Sequence, residues 1–152
     1  MTKNILITGA ATGLGRATVL KLAENGHNIA VVDFNVEEGE KTVALAKEAG
    51  ANALFIQADV SNEENVQNYV AKTIEAFGTI DVFFNNAGLM IPFRLLHEYD
   101  ENEYDRIMNV NVKGAFFGVK YVISHMLENG GGTIVNTVSS NSFKPTAYNG
   151  VY

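Results

Sequence analysis

Five short runs of consecutive apolar residues recur along the 152-residue chain and limit its fold more than any other feature. They occupy residues 4–8, 28–32, 53–56, 80–84 and 133–138. None alternates apolar with polar positions, so each predicts a strand buried on both faces, as in a parallel sheet with helices on both sides. Four helical stretches separate them. The first covers residues 14–25 and stops at Gly26, and the second covers residues 37–49 and stops at Gly50; both glycines are expected in the left-handed region. The third opens on Ser61-Asn62-Glu63-Glu64, read as a capping box, and repeats Val66, Val70 and Ile74 on one face. The fourth opens on Asp100-Glu101-Asn102-Glu103 and is expected to run unbroken to Glu128. Strict alternation predicts a doubly wound α/β sheet of Rossmann type, in one domain over residues 1–152.

Composition agrees with a packed core: 47% of residues are apolar and 18% charged. A net charge of −6 argues against a surface that tracks nucleic-acid phosphates. The absence of cysteine excludes disulfides, thiol catalysis and thiolate metal sites. No apolar run reaches the roughly 18 residues of a membrane span, so the chain reads as soluble and cytoplasmic.

In open parallel sheets ligands bind beyond the carboxyl ends of the strands. After the first strand comes Thr8-Gly9-Ala10-Ala11-Thr12-Gly13-Leu14-Gly15, which opens directly into a helix. Glycines let backbone approach a pyrophosphate, and the helix start offers free N–H groups. The spacing is G-x-x-x-G-x-G, neither the generic G-x-G-x-x-G nor a P-loop, and turn chemistry alone could also place three glycines there. Asp33 ends the second run, 18 residues past Gly15, near the spacing at which an acid accepts from a ribose diol. Its charge would repel a 2′-phosphate, which favours NAD over NADP; a helix cap is the other reading. Asp59 and Val60 follow the third run as an adenine contact or as a turn. Asn86-Ala87-Gly88 follow the fourth, as backbone passing under a ring or again as a turn. Asn111, Gly114 and Gly118 share one face of the fourth helix, where an inward Asn needs partners and glycines permit close packing. Serines end the fifth run. His27, His97 and His125 form neither a hydrolase triad nor a metal set.

Taken together, Thr8-Gly9-x-x-x-Gly13-x-Gly15, Asp33, Asp59-Val60, Asn86-Ala87-Gly88, Asn111-x-x-Gly114 and the Ser139–Tyr152 spacing resemble the short-chain dehydrogenase/reductase family, in its NAD-preferring branch. The resemblance covers residues 3–152. It implies that Ser139 bonds the substrate oxygen, that Tyr152 moves the hydroxyl proton, and that Asn111 holds a water in the proton relay. It implies a cofactor set of Gly9, Thr12, Gly13, Leu14, Gly15, Asp33, Asp59, Val60, Asn86, Ala87 and Gly88. The implied reaction interconverts a secondary alcohol and a ketone with NAD(H), in a homo-oligomer. The family's lysine, four residues past the tyrosine, would fall at position 156, beyond Tyr152. A free tyrosine titrates near 10, so a phenolate base needs a neighbouring cation. The chain is therefore expected to be part of a longer dehydrogenase, with a fifth strand exposed at Ile134 and Val135. An inactive dinucleotide-binding module is the alternative. Methyl transfer is disfavoured by Asn86-Ala87-Gly88 and the Ser139–Tyr152 spacing.

Overall fold

The computed structural model describes residues 1–152. Its elements follow in the order β1 (Asn4–Thr8), α1 (Gly13–Ala23), β2 (Asn28–Asp33), α2 (Val36–Glu48), β3 (Asn52–Gln57), α3 (Glu63–Phe77), β4 (Val82–Asn85), α4 (Glu101–Ile107), a π-helical segment (Met108–Gly114), α5 (Ala115–Glu128) and β5 (Thr133–Asn136). The strands pair in parallel in the order β3-β2-β1-β4-β5. The chain winds outward from β1 to β3, then crosses back through α3 to β4 on the other side of β1. The order therefore reverses between β1 and β4.

The continuous apolar runs now have a cause. Successive side chains on a strand point to opposite faces, so a strand covered on both sides needs apolar residues at every position. Leu6, Ala30, Val32, Ile56 and Phe83 face α3 and α5, packing on Tyr69, Val70, Val122 and Met126. Ile5, Ile7, Ile29 and Val31 face the other way onto Val19, Ala23, Val43 and Ala46 of α1 and α2. Gly118 lets α5 approach the sheet, since a β-carbon there would lie 2.9 Å from the Phe83 ring.

Gly26 and Gly50 take φ of 67° and 104°, as expected after α1 and α2. Four expectations need correction. The cap of α3 is Asn62, whose side chain accepts from Asn65 N at 3.1 Å, while the Ser61 hydroxyl turns back to Asp59. The fourth helix is not uniform: α4 begins with the expected capping box at Asp100, but seven residues from Met108 are π-helical before α5 resumes. The fifth strand stops at Asn136, short of Val138, at one edge of the sheet. There Val135 is exposed, whereas Ile134 is half-buried against the core. No helix is long and apolar enough to cross a membrane.

Tyr69 is fully buried beneath α5, and its hydroxyl meets no protein donor or acceptor. Burial pushes its phenol pKa up. Because an unpaired buried hydroxyl is destabilising, Tyr69→Phe should raise stability by about 1 kcal/mol, read from the urea midpoint. A lower midpoint would sink that expectation.

Candidate functional site

Two adjoining cavities open where β1 and β4 diverge. The larger, about 690 Å³, runs across the carboxyl ends of β1, β2 and β3. The smaller, about 300 Å³, lies beside β5. Asn86, Ala87 and Gly88 line both and form the wall between them.

The glycine-rich turn forms the floor of the larger cavity. Gly9 and Gly13 adopt φ of 63° and 53°, a region that disfavours other residues. A β-carbon on Gly15 would stand 2.0 Å from Gly9 O, so the turn closes only with glycine there. One on Gly13 would touch no protein atom. Thr12, the residue before α1, makes no side-chain cap, and α1 carries no acid in its first turn. In contrast, α2 and α3 begin with capping asparagines and paired glutamates. The N-terminus of α1 thus presents uncompensated N–H groups and positive dipole to the cleft, an arrangement suited to an anion.

Asp33 sits beside this turn, nearly buried. Its Oδ2 accepts from Ala11 N at 2.9 Å and its Oδ1 from Asn35 N at 3.0 Å. Each oxygen keeps a second lone pair for a ligand. Asp59 is the turn residue of its second reading, its Oδ1 accepting from Ser61 N and Ser61 Oγ at 2.9 and 2.7 Å, and it also lines the cavity. Val60 forms the adjacent apolar wall. It also packs on Gly114, where a β-carbon would come within 2.9 Å of Val60 Cγ2.

Asn86 and Asn111 bond neighbouring backbone through their amides. Asn86 Nδ2 donates to Thr8 O and Gly9 O at 3.1 and 3.2 Å, and its Oδ1 accepts from Thr137 Oγ1 at 2.9 Å. Asn111 Oδ1 accepts from Leu89 N at 2.8 Å and its Nδ2 donates to Leu89 O at 2.9 Å, an imitation of a strand pairing. Asn85 Nδ2 donates to Ala115 O and Asn136 Oδ1, both at 3.0 Å, tying the end of the π segment to β4 and β5. Single-turn π insertions gather at functional sites.

The smaller cavity collects hydroxyls. Ser139, Ser142, Tyr152 and Asn111 all line it, with Met108 and Val151 as apolar lining. Ser139 Oγ accepts from Asn141 N at 3.2 Å, which orients it at the start of a 3₁₀ turn over Ser140–Ser142. Four residues before Tyr152, Tyr148 holds a φ of 64° without being glycine. Its carbonyl accepts from Arg94 N at 2.8 Å, and the Tyr99 hydroxyl lies 3.0 Å from the same oxygen. The loop after β4 thereby fixes the approach to Tyr152.

All eleven positions expected around a dinucleotide therefore line the larger cavity, and Asn111, Ser139 and Tyr152 line the smaller. Eight further residues line the larger cavity that sequence reasoning did not place there: Phe34, Asn35, Ala58, Ser61, Leu89, Arg106, Asn109 and Val110. Only Asn109 carried a signal, as a polar interruption in an apolar helix. The three histidines stay outside both cavities, and His125 instead accepts from Ile80 N at 3.3 Å.

A doubly wound sheet with a glycine turn at its switch point defines a Rossmann-type fold. The family model for short chain dehydrogenases matches residues 3–152. The chain is 42% identical over 137 residues to an uncharacterized oxidoreductase of Thermotoga maritima, covering 90% of this chain and 53% of that protein. It is 41% identical to levodione reductase of Leifsonia aquatica, covering 89% of this chain and 51% of that one. Among solved structures, NAD+-bound xylitol dehydrogenase superposes with a TM-score of 0.95 at 39% identity, over 99% of this chain and 58% of the other. The chain belongs to the short-chain dehydrogenase family, and it spans about half the length of the curated relatives it matches.

The two glycines of the turn make a clean contrast. Gly13→Ala should cost about 1–2 kcal/mol, the strain of a left-handed alanine. Gly15 has no left-handed φ, but its alanine β-carbon would stand 2.0 Å from Gly9 O and must push the turn apart, so its denaturant midpoint should fall further than that of Gly13→Ala. Equal midpoints would show that the turn yields more easily than its geometry implies.

Proposed function

We propose that this chain forms the cofactor cleft and hydroxyl pocket of an NAD(H)-dependent oxidoreductase that interconverts a secondary alcohol and a ketone. The observation that carries the reading is continuity: one wall, Asn86-Ala87-Gly88, divides a cavity ending at Asp33 from a pocket holding Ser139 and Tyr152. The residues fit a dinucleotide on their own geometry. Gly13 leaves open the space a side chain would fill, the N-terminus of α1 faces a pyrophosphate, and Asp33 keeps lone pairs for a ribose diol. Levodione reductase and NAD+-bound xylitol dehydrogenase, by their names, act on a ketone and an alcohol, which supports the same class here.

Gly9, Thr12, Gly13, Leu14 and Gly15 hold the pyrophosphate, Asp33 takes the ribose hydroxyls, and Asp59 with Val60 bounds the adenine. When bound, the nicotinamide supplies the hydride acceptor or donor. In the oxidation direction the Tyr152 oxygen takes the substrate hydroxyl proton as the carbon–hydrogen bond breaks. In reduction it returns that proton to the carbonyl oxygen. Ser139 Oγ donates to the same oxygen and fixes it beside Tyr152. Asn111 bonds Leu89 on both sides, which sets the Gly88–Leu89 backbone along the pocket, and keeps one N–H and one lone pair for a water in the proton relay. Assembly into a homo-oligomer is supported by the exposed Phe116, Ile123 and Leu127 of α5.

Two measurements test the reading. Asp33→Arg replaces a diol acceptor with a phosphate partner, so the Kd for NADH should rise at least about tenfold while NADPH binding tightens. Unchanged preference would remove Asp33 from the ribose site. In the protein that carries this chain, Tyr152→Phe should lower kcat by about 100-fold or more with the Kd for NADH within twofold of its starting value. A full-rate phenylalanine variant would overturn the proton role.

A further inference from the structure

The position of Asp33 is set from behind the cleft. Its Oδ2 accepts from Ala11 N, and Ala11 is itself fully buried. The carbonyl of Ala11 faces Thr42 of α2, whose hydroxyl lies 3.1 Å away and is also fully buried. That hydroxyl has one hydrogen and three neighbours. Arg16 Nε donates to it at 2.8 Å. Glu38 O stands 2.9 Å from it, but that carbonyl already accepts from Arg16 Nη2 at 3.0 Å. A carbonyl oxygen can accept twice, so the hydroxyl is within bonding distance of both carbonyls and bridges Ala11 O and Glu38 O. The Glu38 carboxylate accepts from the same Arg16 guanidinium, and this bond holds its carboxyl below the usual carboxylate range. A chain of contacts thus runs from Glu38 through Arg16, Thr42 and Ala11 to Asp33. Arg16, Glu38 and Thr42 do not line the cleft.

We infer that Thr42 and Arg16 are positioning residues that set the discrimination between a free ribose diol and a 2′-phosphorylated one, by fixing the Ala11 backbone that holds Asp33. The inference rests on the proposed role of Asp33. Displacing that carboxylate weakens its bonds to a diol and relaxes its repulsion of a phosphate. The two affinities then respond differently, which a purely structural threonine would not produce.

The test titrates NADH and NADPH fluorescence with the protein and four variants. Thr42→Val keeps the shape and removes the hydroxyl; Thr42→Ser keeps the hydroxyl and removes the methyl group. With Thr42→Val the Kd for NADH should rise about fivefold, the worth of one ordinary hydrogen bond, while that for NADPH stays level or falls. Thr42→Ser should keep the starting ratio even if its melting temperature drops. In an Asp33→Asn background, Thr42→Val should change the Kd for NADH by less than twofold, since the intermediary is gone. The inference is overturned if Thr42→Val binds both nucleotides as the unaltered protein does. It is equally overturned if Val and Ser weaken both nucleotides by one factor in step with melting temperature. An Asp33→Asn change that leaves NADH binding intact overturns the Asp33 reading first, and this inference with it.

Discussion

Where β1 and β4 part, four hydrogen bonds take over from the sheet ladder. Thr8 Oγ1 accepts from Asn86 N and Ala87 N at 3.0 and 3.1 Å, and Asn86 Nδ2 donates back to Thr8 O and Gly9 O. Without them the backbone groups at two strand ends would lie unpaired beside a cavity, an unfavourable state in a half-buried setting. With them, the strands can diverge while the glycine turn and the Asn86-Ala87-Gly88 wall keep a fixed separation. That separation leaves no room for a side chain on Gly9, where a β-carbon would sit 2.8 Å from Ala87 Cα. The cleft, its floor and its dividing wall all depend on this one crossing.

The sheet was legible because its requirement is local. A strand covered on both faces must be apolar at every position, so residues 4–8 and 28–32 announce themselves without reference to the rest of the chain. The glycine turn and the Asp100 cap are legible for the same reason: each answers a backbone need within a few residues. The π-helical segment was not. Met108–Gly114 holds weak helix formers in Asn109, Val110, Asn111, Val112 and Gly114, but nothing local that selects a π over an α turn. The Asn85 bond to Ala115 O and the Asn111 pairing with Leu89 reach that helix from other elements, and tertiary contact overrides propensity there.

Candidate site residues divide along the same line. Gly9, Gly13, Gly15 and Asp33 were readable because their residue types are rare solutions to a local demand. The hydroxyl pair Ser139 and Tyr152 was readable only as a family spacing, since no local rule links residues 13 apart. Thr42 was silent. Mid-helix threonines commonly bond the carbonyl four residues back, as this one also does at Glu38. Its part toward Ala11 exists only after α1 and α2 have packed.

Charge shows how an acidic chain can host an anionic ligand. The net charge is −6, and Asp33 and Asp59 both line the larger cavity against one cationic side chain, Arg106. Side-chain charge in this chain therefore offers an anion in the cleft little net attraction. Backbone dipoles remain: the uncapped start of α1, kept free of acid, delivers N–H groups at the one place where glycines let a phosphate approach. Asp33 lies beside the same turn, but its carboxylate is already held by Ala11 N and Asn35 N and turns its remaining lone pairs to hydroxyl donors. The two halves of the cleft can then hold opposite preferences, an anion at the turn and neutral hydroxyls at the acid. A dinucleotide with an unmodified ribose satisfies both.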